Sequence, residues 1–148
     1  MKDTVNKIET LLAQAHGHFT SHDETHLQTP IAAGKWSRKQ ILGHLIDSAL
    51  NNWQRFTEIG NKPQPYIYRE YHQSELVKIN DYQNKDTTEL LRLWVLMNRQ
   101  IIRVIENQTE ETLNLKVQFT DGTMQDLRFI MTDYPEHMAH HVKQIVSA

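Results

Sequence analysis

The sequence predicts an all-α protein, a single domain over residues 1–148 built as a four-helix bundle. Three observations support this fold class. The chain has 148 residues, which is the size of one domain. It contains only 5 Gly and 4 Pro, so few residues interrupt regular structure. Four stretches carry apolar residues at three- and four-residue spacing, which is the periodicity of an amphipathic helix.

The first two helices are predicted from apolar periodicity and from a start signal. The first helix spans Thr4 to about Ala15. The second begins at Ser37, because Gln40 occupies the capping-box position three residues later. Its apolar stripe continues to Gly60, so we expect a helix of about six turns.

A long connection separates the second helix from the third. Residues 61–85 are polar and rich in tyrosine, and we expect one short helix within them, around residues 74–79. Connections of this length in compact domains often line a functional site. The third helix is predicted from Asp86 to about Ile105.

The fourth helix follows a short extended stretch at residues 113–119, where apolar and polar residues alternate. A capping box formed by Thr123 and Asp126 is expected to open this helix, which continues to Ile145. Pro135 lies inside it and is expected to kink it.

Composition argues against several classes of function. Sixteen basic and eighteen acidic residues give a formal net charge of −2 with no basic run, so a nucleic-acid partner is not expected. The chain has no cysteine, so any metal must be held by His, Asp or Glu. There is no signal-like amino terminus and no apolar run near the ~18 residues of a membrane span. These features predict a cytoplasmic protein without a membrane partner.

Histidine is the unusual component, with nine residues in the chain. His137 and His141 are four residues apart on the apolar stripe of the fourth helix, so both should point toward the bundle axis. His44 lies close to the apolar stripe of the second helix. As unrelated core residues, three imidazoles would be costly to bury, whereas one shared divalent metal would satisfy all three. Separate hydrogen-bonded core histidines are the alternative.

A second group of histidines also repeats every four residues: His18, His22 and His26. Gly17 and its Thr and Ser neighbours weaken a helix there, so we expect a solvated helix end or loop rather than a metal site. Replacing His22 by Ala is accordingly expected to change metal affinity little.

Short motifs in this chain resemble those of the DinB/YfiT-like superfamily. They are Trp36-Ser37, Ile-Leu-Gly-His-Leu-Ile-Asp at 41–47, Asp133-Tyr134, His-Met-Ala-His-His at 137–141 and Gln144-Ile145. The resemblance implies an up-down-down-up bundle, often a homodimer, with Zn²⁺ or Ni²⁺ held by three histidines, which here are His44, His137 and His141. It covers nearly the whole chain, and Pro135 departs from the family pattern. Members of the family include proteins described as metal-dependent hydrolases and S-transferases for low-molecular-weight thiols.

Two residues are candidates for a catalytic role beside the metal. Asp47 follows His44 by one turn, and Gln144 follows His141 by one turn, so each could contact a ligand or the substrate. The alternative is that Asp47 is solvated and that Gln144 packs near a helix end.

Two functions remain open at this point. The first is an enzyme whose metal activates a thiol cosubstrate or water for attack on a small-molecule substrate. Thiol transfer is favoured over hydrolysis, because Met138 replaces the general-base Glu of His-Glu-x-x-His proteases and because a thiol ionises more readily than water. The second is a non-catalytic metal- or ligand-binding bundle. A di-iron bundle is disfavoured, since the chain has no Glu-x-x-His motif.

Overall fold

The computed structural model describes residues 1–147 and shows a helical protein with one small sheet. Its long helices are α1 (Lys2–Ser21), α3 (Arg38–Glu58), α5 (Thr87–Glu106) and α7 (Leu127–Val146). Its short helices are α2 (Glu24–Gln28), α4 (Gln73–Ile79) and α6 (Glu110–Leu113). The strands are β1 (Tyr66–Ile67), β2 (Lys116–Gln118) and β3 (Met124–Asp126), and single 3₁₀ turns lie at Ile59–Asn61 and Tyr82–Asn84.

The four long helices form a bundle, so the predicted fold class is confirmed. Helix α3 packs against α5 and α7, and α1 packs against the same two helices from the other side. Each helix turns its apolar stripe inward, with Ile8, Leu42, Trp94 and Leu127 among the fully buried side chains. Within residues 1–147, none of the helices combines the length and hydropathy that a membrane crossing requires.

The small sheet lies beside the bundle and joins two connections that are far apart in sequence. Strand β2 is central, parallel to β1 and antiparallel to β3. The extended stretch predicted at 113–119 is confirmed only for residues 116–118. The stretch starts later than predicted because Leu113 belongs to α6. Thr109 is the N-cap of that helix, and its hydroxyl accepts from the N–H of Thr112.

The start of α3 agrees with its sequence signal, whereas the start of α7 does not. Ser37 and Gln40 form the predicted reciprocal capping box. At α7 the predicted capping box was wrong, because Asp126 is itself the N-cap and accepts from the N–H of Phe129. Thr123 lies before β3. The residues that follow it, Met124–Asp126, pair with β2 and are therefore extended rather than helical. Helix α7 continues through Pro135 without interruption.

Helix α1 extends to Ser21, six residues beyond the predicted end at Ala15. The extra turns are anchored by Phe19, which is buried in the core. A buried aromatic ring outweighs the modest helix cost of the nearby Gly17.

Two buried hydrogen bonds hold α7 in place. The Arg38 Nε donates to the carbonyl of Ile145 at 3.1 Å, at the carboxyl end of α7 where backbone carbonyls lack helical partners. The Tyr134 hydroxyl donates to Asn98 Oδ1 at 2.7 Å, which satisfies the one amide on the apolar face of α5. These bonds tie α7 to α3 and α5.

A glycine on α3 allows the segment before α5 to lie directly on the helix. A Cβ atom at Gly43 would lie 2.1 Å from Cδ2 and 2.7 Å from Cβ of Tyr82. The clash reaches the base of the Tyr82 side chain, so a rotamer change cannot relieve it. The close contact lies next to His44 in the chain.

We predict that Gly43→Ala destabilises the protein by roughly 1–3 kcal/mol, since the added methyl must push Tyr82 and its backbone away from α3. The matched control is Gly17→Ala in α1, where an added Cβ meets nothing within 4 Å. The control should gain up to about 1 kcal/mol from better helix propensity. Urea unfolding measures both changes, and equal stabilisation by the two variants would contradict the contact.

Candidate metal centre

Three histidines converge where α3 packs against α7. His44, His137 and His141 each offer a ring nitrogen, and these atoms lie within 4.8 Å of one another. The Nε2 atoms of His44 and His137 are 3.2 Å apart. The three ring centroids are separated by 4.5 to 5.1 Å. We call this group the core triad.

The helices position the core triad through their ordinary periodicity. His137 and His141 lie one turn apart on the face of α7 that packs on α3. His44 is fully buried in the middle of α3, and the Trp36 ring lies 5.3 Å from its imidazole. The helix therefore presents His44 inward from a firmly packed site.

The other ring nitrogens of α7 have polar neighbours. His141 Nδ1 lies 2.9 Å from Gln144 Oε1, and an amide oxygen only accepts, so this nitrogen carries the proton and Nε2 has a free lone pair. Ser48 Oγ lies 3.5 Å from His137 Nδ1, a longer contact. Among the described residues His44 Nδ1 has no partner, and neither does Oδ2 of Asp47, one turn further along α3.

Asp47 is buried, and its other carboxylate oxygen, Oδ1, accepts two hydrogen bonds from the segment before α5. Oδ1 accepts from the Tyr82 hydroxyl at 2.6 Å and from the Asn80 side-chain amide at 2.9 Å. Burial raises the pKa of the Asp47 carboxyl, although the two hydrogen bonds act in the opposite direction and lower it. The contacts connect the segment before α5 to α3 at the level of the core triad.

The electrostatics of the core triad suit a bound cation. Burial, reinforced by the neighbouring imidazoles of His141 and His137, lowers the pKa of His44 to about 3. Burial likewise lowers the pKa of His137 to about 4 and shifts the pKa of His141 downward. All three rings are therefore neutral at pH 7, which is the form that donates a lone pair to a metal. Three nitrogen donors fit Zn²⁺ or Ni²⁺ and leave coordination positions open.

A cavity of about 130 Å³ adjoins the core triad. Its walls come from α3 and α7 and include Ser48, Asn52, Arg55, Asp133, Tyr134 and His137. Two tyrosines from the segment after β1, Tyr68 and Tyr71, close the remaining side. Of the core triad only His137 lines the cavity, so a small molecule there would lie beside that imidazole.

Sequence reasoning missed Arg55 as a cavity residue. It precedes Phe56 at the end of an apolar stripe, where an arginine is usually solvated. The available signal was its spacing, because positions 44, 48, 52 and 55 repeat at four, four and three residues and thus share one face of α3. Tyr68 and Tyr71 carried no such signal, since they lie in a segment without helical periodicity.

The structure also brings together His18, His22 and His26, which we call the surface triad. The ring centroids of His18 and His22 are 4.0 Å apart, those of His22 and His26 are 4.3 Å apart, and one ring nitrogen from each lies within 4.8 Å of the others. The prediction of a solvated helix end is confirmed for His22, which is exposed directly after α1 ends at Ser21, whereas the convergence of the three rings was not predicted. Helix α1 continues through His18, and the Asp23 cap of α2 turns the chain so that His26 returns beside it.

The two triads differ in their surroundings. His22 is exposed, whereas His44 is fully buried. Burial, His22 and then the charge of Arg38 lower the pKa of His18 to about 4, so a fixed positive charge lies close to the surface triad. That charge weakens cation binding at the surface triad relative to a site without it, and does not prevent it. None of the three histidines of the surface triad lines the cavity that adjoins the core triad.

Comparison with known proteins supports the fold and the metal. The chain is 27% identical over 144 residues to a protein of Halalkalibacterium halodurans provisionally named a metal-dependent hydrolase, covering 97% of this chain and 83% of the relative. A protein of Bacillus cereus (strain AH820) with the same provisional name is 25% identical over 148 residues, covering 99% and 84%.

Two solved structures share the fold. YfiT from Bacillus subtilis, described as a probable metal-dependent hydrolase with an unusual four-helix bundle topology, superposes with a TM-score of 0.89 at 20% identity over 99% of this chain and 83% of that one. A mycothiol-dependent maleylpyruvate isomerase superposes with a TM-score of 0.76 at 10% identity, over 98% of this chain and 60% of that one.

The family comparison covers nearly the whole chain. The model of the DinB superfamily matches residues 7–145. That match includes all of α3 and α5, most of α1 and α7, and every residue of the core triad. The up-down-down-up bundle implied by the sequence motifs is therefore confirmed, and the chain belongs to the DinB superfamily.

Proposed function

We propose that the protein is a metal-dependent enzyme whose divalent ion, Zn²⁺ or Ni²⁺, is held by His44, His137 and His141. The observation that carries the proposal is the convergence of three neutral imidazoles within 4.8 Å beside a cavity. The metal-dependent names of the relatives support it. A three-ligand site with open positions is typical of catalytic metals.

The reaction that we favour is transfer of a low-molecular-weight thiol to a small electrophilic substrate. A bound divalent ion would lower the pKa of a thiol or water that reaches it. Met138 is fully buried, so the position that holds the general-base Glu in His-Glu-x-x-His enzymes contributes only packing. A reactant that ionises without a strong base has the advantage there, and a thiol with a pKa near 8.5 ionises far more readily than water.

Hydrolysis is the second candidate, and one observation favours it. Asp133 lies in the cavity wall, where its carboxylate could take a proton from a water molecule beside His137. The names of the relatives point the same way. Assembly as a homodimer and a cytoplasmic location stay predictions.

Gln144 and Asp47 have positioning roles in this proposal. Gln144 fixes the proton on His141 Nδ1 and so directs Nε2 inward. Asp47 Oδ2 and His44 Nδ1 are both buried without partners among the described residues, and the two residues are neighbours one turn apart on α3, which makes Asp47 the candidate partner of His44. Such a carboxylate–histidine pair orients many metal-bound imidazoles.

We predict that His44→Ala, His137→Ala and His141→Ala each weaken metal binding by more than the ~100-fold typical for loss of a residue that only supports a ligand. The matched control is His18→Ala with His22→Ala and His26→Ala, which removes three histidines from the surface triad. The control should retain one tightly bound ion. Equilibrium dialysis with metal analysis measures both, and loss of the tight ion from the control alone would assign the metal to the surface triad.

We predict that Gln144→Ala lowers metal affinity about 10- to 100-fold, because His141 loses the acceptor that fixes its tautomer. Gln144→Glu should restore most of the affinity, since a carboxylate also accepts from Nδ1–H. A purely packing role would give the opposite order, with the charged replacement the more damaging of the two. Competition with a chromophoric chelator measures the affinities.

We predict that a small thiol binds directly at the metal. Co²⁺ is placed in the site, and glutathione, coenzyme A and bacillithiol are added in turn while the ultraviolet spectrum is recorded. At least one thiol should produce a sulfur-to-metal charge-transfer band. If no thiol changes the spectrum while water still exchanges at the metal, thiol transfer fails and hydrolysis takes its place. A metal without exchangeable water would instead support a non-catalytic binding protein.

A further inference from the structure

A buried arginine lies at the far end of the cavity from the core triad. Arg55 on α3 is only 1% exposed, although arginine is among the residues least often buried. It forms none of the ion pairs found among residues 1–147. Burying a cation without a carboxylate partner costs free energy, so such a residue usually has a functional reason.

The neighbours of Arg55 satisfy it only in part. Nη1 donates to Asn52 Oδ1 at 3.3 Å, and Nη2 donates to the backbone carbonyl of Arg69. The Tyr68 ring lies 3.9 Å from the guanidinium carbon and stabilises the charge from one face. A guanidinium has five N–H donors, so three remain, and Nε is buried without any partner.

Arg55 and one member of the core triad, His137, open onto the same cavity. Arg55 and His137 both line it, and Ser48, which contacts His137, lies between them on the same face of α3. Seven residues separate Ser48 from Arg55, which is about 10 Å along the helix. A small molecule can therefore reach both ends.

We propose that Arg55 binds a carboxylate group of the small-molecule substrate and thereby places the reactive end of that substrate at the core triad. This inference rests on the proposed function, since it assumes that the chemistry occurs at the core triad. The planar guanidinium matches a carboxylate with paired N–H donors. The ligand would supply a carboxylate in direct contact with Arg55, which none of the described residues does.

The charges that line the cavity and its volume favour a carboxylate over a phosphate. Among the described residues that line the cavity, Arg55 is the one permanent cation, and Asp133 adds a negative charge. A singly charged carboxylate balances Arg55, whereas a phosphate dianion would bring a second charge beside Asp133. A volume of about 130 Å³ is close to the ~150 Å³ of a cavity that admits benzene. The group at Arg55 is therefore a compact carboxylate, aliphatic or aromatic.

The test uses benzoate as a probe and benzamide as its neutral match. Binding is followed through the Arg55 Nε–H signal in nuclear magnetic resonance spectra, on the protein as isolated and after removal of metal with EDTA. Benzoate should shift this signal and bind at least about tenfold more tightly than benzamide, as expected for a charge-assisted hydrogen bond. It should do so in both samples. Inorganic phosphate should compete weakly.

Variants separate Arg55 from other charges. Their binding and that of the unaltered protein are compared by isothermal titration calorimetry, because a variant at position 55 lacks the Arg55 Nε–H signal. Arg55→Gln should abolish the preference for benzoate over benzamide, and Arg55→Lys should retain part of it because the charge stays while the paired donors are lost. The control is Arg69→Gln, which removes an exposed arginine next to the cavity and should leave the preference unchanged. Since the comparison of the two probes uses the unaltered protein, it remains decisive if a variant fails to fold.

Equal binding of benzoate and benzamide to the unaltered protein would overturn the proposal and leave Arg55 as a structural residue. So would tighter binding of phosphate than of benzoate, which would assign a phosphate group to Arg55. Neither result would affect metal binding at the core triad. Conversely, if the metal experiments fail while benzoate still binds the EDTA-treated protein, the anion site stands and the proposed chemistry does not.

Discussion

The packing of α3 on α7 has to accommodate imidazole rings in a place where a bundle would ordinarily have leucine or isoleucine. Neutral imidazoles that face one another in a dry interface leave lone pairs without donors, and that cost must be offset for the two helices to stay together. Contacts around the imidazole rings keep α3 and α7 in place. The Arg38 side chain donates a hydrogen bond to the end of α7, Tyr134 donates one to α5, and Tyr82 is in close contact with Gly43. A cation shared by the rings would convert the same interface from a cost into a source of stability.

The candidate site has two chemically different ends. One end offers uncharged nitrogen donors, and the other offers a fixed positive charge backed by a tyrosine ring. A substrate that fits both needs an anionic group and, some distance from it, an atom that reacts at a metal. Arg55 would orient the substrate through its anionic group, and the core triad would hold the metal at which another atom of the substrate reacts. The anionic group of the substrate then does not compete for the metal.

The sequence predicted those parts of the molecule that depend on neighbours along the chain. The Ser37 capping box and the pair His137 and His141 are local patterns, and each appears in the structure where its spacing indicated. The small sheet and the cavity were missed because they depend on residues far apart in sequence. The four-residue repeat of the surface triad was visible in the sequence, but the convergence of its three rings was not predicted. Strand β1 meets β2 across some fifty residues, and His26 reaches His18 only because α2 reverses the chain. Tyr68 and Tyr71 reach Arg55 through that same distant pairing, which no helical period could reveal.

The surface triad has a practical consequence for anyone who prepares the protein. Three imidazoles on one accessible edge, with His22 exposed, form the kind of group that immobilised nickel resins capture. The untagged chain is thus expected to be retained on such a resin and to leave the column carrying nickel outside the bundle. Metal content measured after that step reports the purification history as well as the centre between α3 and α7. Anion exchange at a pH well above the sequence pI of about 6.5, where the chain carries a net negative charge, avoids the confusion.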